Sequence, residues 1–113
     1  MKLLSYISFL FILFSPQIQA KSGSIGLSAD VSVSDIFNRQ VEEFTVSEVQ
    51  PDSAAQQAGL KKGDVVTAIE DCAIPGCPSG DAKKLMAKQA GEILNLTITR
   101  GEETNLPIVI HVR

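Results

Sequence analysis

The chain is poor in groups that do covalent or metal chemistry. Its 113 residues include one His, two Cys and no Trp. One imidazole and two thiols fall short of the four ligands of a structural zinc site, and no Gly-x-Ser-x-Gly nucleophile turn occurs. Basic charge is also scarce, with 10 Lys and Arg against 13 Asp and Glu for a formal net charge of −3. Displacing counterions from a nucleic acid requires a basic patch. The only basic pairs, Lys61-Lys62 and Lys83-Lys84, read as solvated turn and helix ends. No repeat, linker or low-complexity stretch interrupts the chain, and its length suits one small domain rather than a dinucleotide-binding unit or a barrel. These absences argue against an enzyme, a resident cofactor or metal, and a nucleic-acid partner.

Long apolar runs are missing too. Residues 3–14 are apolar except for Ser5 and Ser8, a stretch of about 12 where a bilayer-spanning helix needs roughly 20. Lys2 precedes this run, and Ser15, Pro16 and Ile18-Gln19-Ala20 follow it, the order of a secretory signal. Residues 1–20 are therefore expected to be a signal peptide cut after Ala20, leaving no stable membrane span. Ile18, larger than the residue usual three positions before a cut, keeps a retained anchor as the alternative. No Cys follows the site, so a lipid anchor is not supported. Removal takes Lys2 and leaves 93 residues with 9 basic and 13 acidic side chains, a net charge of −4.

Export to a periplasmic or secreted location decides the reading of Cys72 and Cys77. An oxidising compartment favours a disulfide, and the Pro75-Gly76 turn can bring the two α-carbons within the roughly 4.4–6.8 Å that one needs. Free thiols are the main alternative, and redox chemistry, more usual in a Cys-x-x-Cys pair at a helix start, or a metal site the lesser ones. A bridge over so small a loop stiffens that loop more than it stabilises the fold.

In residues 25–33, Ile25, Leu27, Ala29, Val31 and Val33 alternate with period two, as in a half-buried strand. Residues 34–42 read as a loop and 43–49 as a second strand. Asp52 or Ser53 caps a short helix over 54–58 that Gly59 ends. A β-branched strand follows at 65–69, then the Cys loop, then a helix over 81–89 stopped by Gly91. Strands at 92–100 and 106–112 complete a β-β-α-β-α-β-β order, an α+β domain. Pro107 cannot donate a ladder hydrogen bond, so the last strand is expected at an edge or paired on one side near its start. His111 fits the outward phase of that strand. Asn95-Leu96-Thr97 is formally a glycosylation acceptor, but it falls mid-strand and reads as coincidence.

The segment 49–69 combines a strand ending before Pro51, an Ala-rich helix, Gly59-Leu60-Lys61-Lys62-Gly63-Asp64 and an apolar strand. This resembles the PDZ domain family, whose Gly-Leu-x-x-Gly-Asp signature it matches in full. The resemblance extends over residues 23–113 and implies a PDZ-like, partly open antiparallel β-sandwich or barrel of about five strands with two helices. The element order is similar to the bacterial type, in which the C-terminal strand takes a position held by the N-terminal strand in animal members. Ser24-Ile25-Gly26-Leu27 falls where the family has its Gly-Leu-Gly-Phe carboxylate-binding loop, with Ser24 for the first Gly and smaller aliphatics at Ile25 and Leu27.

What the resemblance implies is an exported, non-enzymatic protein-binding module. It would capture a partner's C-terminal peptide by strand addition, as an adaptor or modulator of an envelope protease or secretion complex. Amides of Ile25, Gly26 and Leu27 would hold the carboxylate, and the peptide would run antiparallel along Leu27, Ser28, Ala29 and Asp30. Its apolar last side chain would enter a pocket of Ile25, Leu27, Leu85 and Met86. Ser79 and Lys83 would face the residue two before the terminus. Lys83 and Lys84 read as solvated rather than as ligand selectors. The alternative is a structural interaction domain, or a subunit of a larger complex, with no free-peptide ligand.

Overall fold

The computed structural model describes residues 23–34 and 38–113. Residues 1–20, read above as a signal peptide, lie outside them. Strand β1 spans Leu27–Val33 and β2 spans Gln40–Val49; helix α1 is Ala54–Gln57. Next come β3 at Val65–Ile69, the two-residue strands β4 at Cys72–Ala73 and β5 at Cys77–Pro78, and helix α2 at Ser79–Met86. Strands β6 at Ile93–Arg100 and β7 at Glu103–His111 finish the chain. All recorded strand pairs are antiparallel, in the order β1-β2-β3-β6-β7, with β4 beside β3 and β5 beside β2. The sheet does not close into a barrel, since β1 and β7 stand at opposite ends of that order.

The period-two pattern predicts the buried side of β6, whereas in β3 a register shift between Val66 and Ala68 puts Val66 and Ile69, three apart, on the same buried side. Leu94, Leu96 and Ile98 of β6 are essentially inaccessible, as are Val66 and Ile69 of β3 and Ile110 of β7. Each such side chain, fully withdrawn from water, contributes roughly 1.5–3 kcal/mol. Pro107 sits in β7 opposite Thr97, in a strand at the end of the order, where the missing N–H costs no inner ladder bond.

Several element boundaries differ from the sequence reading. Strand β2 starts at Gln40 rather than residue 43, because Val41 is buried and pairs both with Val33 of β1 and with Cys77 of β5. Strand β1 starts at Leu27 rather than residue 25, because the Ile25 carbonyl turns to α1 and Gly26, at φ +88°, leaves extended geometry. Helix α2 runs from Ser79 instead of 81 and stops at Met86 instead of 89. Pro78, at φ −58°, introduces its first turn, and the chain leaves helical geometry at Ala87. Strand β7 begins at Glu103, three residues before the predicted start.

The signature segment is held by a buried ion pair. Ser53 caps α1, its Oγ accepting from the Gln56 N–H at 3.1 Å, and Gly59 at φ +95° lets the chain turn away after the helix. The Asp64 carboxylate, 1% exposed, accepts from the Lys61 N–H at 2.8 Å. It also accepts both arms of the Arg100 guanidinium, Nε at 2.8 Å and Nη2 at 2.7 Å. The same Nη2 donates to the Gly59 carbonyl at 2.9 Å, so one guanidinium ties the end of α1, the following turn and β6 together. Burial pushes the Asp64 carboxyl upward. The Arg100 hydrogen bonds, the Lys61 N–H and the charges of Arg100 and Lys61 outweigh that and hold it below its ordinary value of 3.8.

A carboxyl lowered in the folded state adds stability above its unfolded pKa and loses that contribution as pH falls through the folded one. Urea unfolding between about pH 6 and pH 3 is therefore expected to show a steeper loss of stability for the parent than for Asp64→Asn. Arg100→Ala strands a buried carboxylate and is expected to cost about 2–3 kcal/mol near neutral pH, less than a fully buried pair because the Arg100 side chain is one-third exposed.

Candidate functional site

The segment before β1 is pinned by three carbonyls. The Ser24 carbonyl accepts from the Arg113 N–H at 3.3 Å, that of Ile25 from the Ala55 N–H at 2.9 Å, and that of Gly26 from the Gln50 N–H at 2.8 Å. A trans peptide unit points its N–H opposite to its C=O. Three successive carbonyls turned toward the C-terminus, α1 and the end of β2 thus turn the N–H groups of Ile25, Gly26 and Leu27 the other way. Among the described residues no carbonyl accepts from the amides of Ile25 or Gly26 outside the strand ladders. The bond from Gln50 to Gly26 makes Leu27 and Val49 a pair that exchanges no ladder bonds, so the Leu27 N–H faces away from β2. Ser24 differs, because its own N–H is taken by the Arg113 carbonyl at 2.8 Å.

Gly26 makes this path possible. Its φ is +88°, and a Cβ there would fall on the Ser53 side chain. Ser53 cannot yield, since its Oγ caps α1 and also donates to the Gln50 carbonyl at 2.7 Å. Ile25 and Leu27 are half-buried against the core.

Between β1 and α2 lies a groove of about 430 Å³. Val31 and Val33 form the strand wall, Val41 and Phe44 the floor, and Ala82 and Met86 part of the helix wall. Ser79 and Lys83 supply its polar edge, and Ala87 closes one end. Val31 is 46% exposed and Val33 37%, an unusual setting for two neighbouring aliphatics on one strand face. The outer edge of β1 has no strand partner among the described residues.

Of the helix residues singled out from sequence, Ser79, Lys83 and Met86 share this groove. Leu85 does not line it. It lines a separate hollow with Glu70, Cys72 and Lys84, because a helix that presents Ser79, Ala82, Lys83 and Met86 to one side turns Leu85 roughly 100° away. Ser28 and Asp30 are exposed, Ala29 is half-buried, and none of the three lines the groove. The aliphatic contributors Val31, Val33, Val41, Phe44 and Ala82 were not picked out as groove residues. The i, i+3, i+4, i+7 series from Ser79 was the available signal.

In the structure Cys72 and Cys77 form a disulfide with α-carbons 5.3 Å apart. The bond joins β4, at the edge of β3, to β5, which leads directly into α2. Glu70 accepts from the Asn95 N–H at 3.1 Å and pairs with Lys88 at 3.6 Å. The Asn95 N–H, ahead of burial, which opposes it, and together with the Asn95 amide and Lys88, holds the Glu70 carboxyl below its usual value. His111 is exposed on β7. Among the described residues no cluster of three or more His, Cys, Asp or Glu has metal-binding geometry, and no helix is long and apolar enough to cross a membrane.

Comparison with known proteins places these features in a family. The model described as PDZ domain matches residues 23–108. A protein described as a probable CtpA-like serine protease from Staphylococcus epidermidis is 29% identical over 100 residues, covering 84% of this chain and 20% of that protein. Zinc metalloprotease RasP from Oceanobacillus iheyensis is 34% identical over 70 residues, 61% of this chain and 16% of that protein. The chain spans about one-fifth or less of the length of these curated relatives.

Gly26→Ala and Gly59→Ala separate backbone strain from steric conflict, since Gly59 has φ +95° but open space where a Cβ would sit. Chemical denaturation is expected to show a loss of about 1 kcal/mol for Gly59→Ala and about 2–3 kcal/mol for Gly26→Ala.

Proposed function

The chain belongs to the PDZ domain family, a family of protein-interaction modules, and from that premise we propose that it captures the C-terminal peptide of a partner protein by strand addition to β1. The observation that carries this reading is the set of three consecutive amides, Ile25 to Leu27, turned away from their anchors. Convergent main-chain N–H groups form a concavity suited to an anionic carboxylate. A peptide running antiparallel to β1 would place its terminus at these amides and pair its backbone with the open edge.

The groove then supports a ligand chemistry. The helix wall from Ser79 to Met86 is about 10 Å long at roughly 1.5 Å per residue, and an extended peptide covers that length in about three residues. Strand geometry sends alternate side chains inward. With the carboxylate at Ile25 to Leu27, the last side chain of the ligand would be apolar and lie beside Leu27 and Ala29, and inward-facing residues upstream would be apolar too, lying against Val31, Val33, Ala82 and Met86. An exported setting fits the Cys72–Cys77 bond. Similarity to segments of two proteases supports a role as adaptor or modulator of envelope proteolysis, with the tail of a substrate or of a protease subunit as ligand.

Amide chemical-shift titration tests this. Heptapeptides with a free carboxylate that end in Val-Ala-Val are expected to give saturable shifts at Ile25, Gly26, Leu27 and along β1. The same peptides with an amidated terminus should give none, and Met86→Glu should weaken binding at least tenfold. Silence at the loop across a library of free C-termini would defeat the proposal.

A further inference from the structure

Helix α2 is shallowly seated. Among its residues only Ala82 is buried, and Pro78 at its N-cap makes no side-chain capping bond. What fixes the N-terminal end lies just before it. The Ser79 N–H donates to the Arg39 carbonyl at 2.9 Å, the Gly76 N–H donates to the Val41 carbonyl at 2.9 Å, and Cys77 pairs with Val41. Val41 is part of the groove floor. The disulfide adds the only covalent tie, from Cys77 to Cys72, which pairs with Ile69 of the core strand β3.

The two sulfur-bearing residues are unequally accessible. Cys77 is 2% exposed within the core. Cys72 is half-buried and opens onto a surface hollow of about 390 Å³ shared with Asp71, Asp81 and Lys84. This hollow lies on the side of α2 away from the groove, so a reagent there need not displace a bound peptide.

We infer that Cys72–Cys77 is a thiol–disulfide exchange site that controls the peptide groove, its co-reactant being a dithiol. A thiolate of the dithiol attacks Cys72 Sγ, the bond to Cys77 breaks, and Cys77 leaves as a thiolate and takes a proton. The second thiol of the reagent, as its thiolate, then attacks the mixed disulfide. Cys72 is released as a thiol and the reagent as its cyclic disulfide, so two electrons and two protons pass to the protein. Reduction removes the tie between β3 and the start of α2. The helix then loses its fixed distance from β1, and peptide affinity falls while the sheet stays folded. The binding half of this inference rests on the function proposed above.

The test compares the full chain in its oxidised form, the same chain reduced with dithiothreitol, and the Cys72→Ala/Cys77→Ala double variant. A fluorescein-labelled heptapeptide ending in Val-Ala-Val with a free carboxylate is the binding probe, and backbone hydrogen exchange is the second readout. Binding five- to twentyfold weaker in both bond-free forms is expected. Exchange should accelerate over residues 77–87, with protection in β3, β6 and β7 unchanged. Equal exchange over 77–87 in all three forms overturns the inference, as does loss of protection throughout the sheet, which would make the bond a general stabiliser. If the oxidised chain binds no free C-terminus, the function proposed above fails and the exchange data alone decide whether the bond controls α2.

Discussion

Three carbonyls that face inward decide what this domain offers outward. The Ser24, Ile25 and Gly26 carbonyls are held by Arg113, Ala55 and Gln50, groups from the C-terminus, a helix start and a strand end. Peptide planarity transmits those anchors to the opposite side, where the amides of Ile25, Gly26 and Leu27 emerge. Much of the remaining structure keeps the anchors in place. Ser53 fixes the start of α1, Gly59 its end, and the Asp64 fork on Arg100 binds the following turn to β6. That ion pair steadies the end of α1, the helix whose Ala55 N–H holds the Ile25 carbonyl, without itself lining the groove.

The two ends of the sheet are treated differently. Strand β7 carries Pro107 and opens with the exposed Glu103 just after the exposed Glu102, features that discourage pairing with another chain. Strand β1 carries two exposed valines and has α2 set beside it across an apolar channel. An unguarded edge is ordinarily a route to aggregation. Here α2 stands beside that edge, and under the proposed function the channel between them admits a single extended strand.

The sequence exposed the parts whose mechanics are local. The cap at Ser53, the stop at Gly59 and the Gly-Leu-x-x-Gly-Asp turn each depend on residues a few positions apart, and each was legible. Pro107 announced an edge for the same reason. Strand β2 was cut short because Gln40 to Glu42 are polar apart from Val41, and what makes them a strand is pairing with residues distant in the chain. Strands β4 and β5 are too short to leave a periodic trace. Leu85 and Met86, adjacent and both apolar, could not be separated until the helix phase was known from Ser79. The partner of Asp64 was equally hidden, since Arg100 lies 36 positions away and nothing local marks it.

The shallow seating of α2 has a consequence for selectivity. A wall that sinks one alanine fully and Leu85 and Met86 only partly into the core is positioned as much by the Cys72–Cys77 bond and the hydrogen bonds of Gly76 and Ser79 as by apolar burial. Discrimination among tails would come more from the backbone register set at Gly26 than from the volume of any one socket.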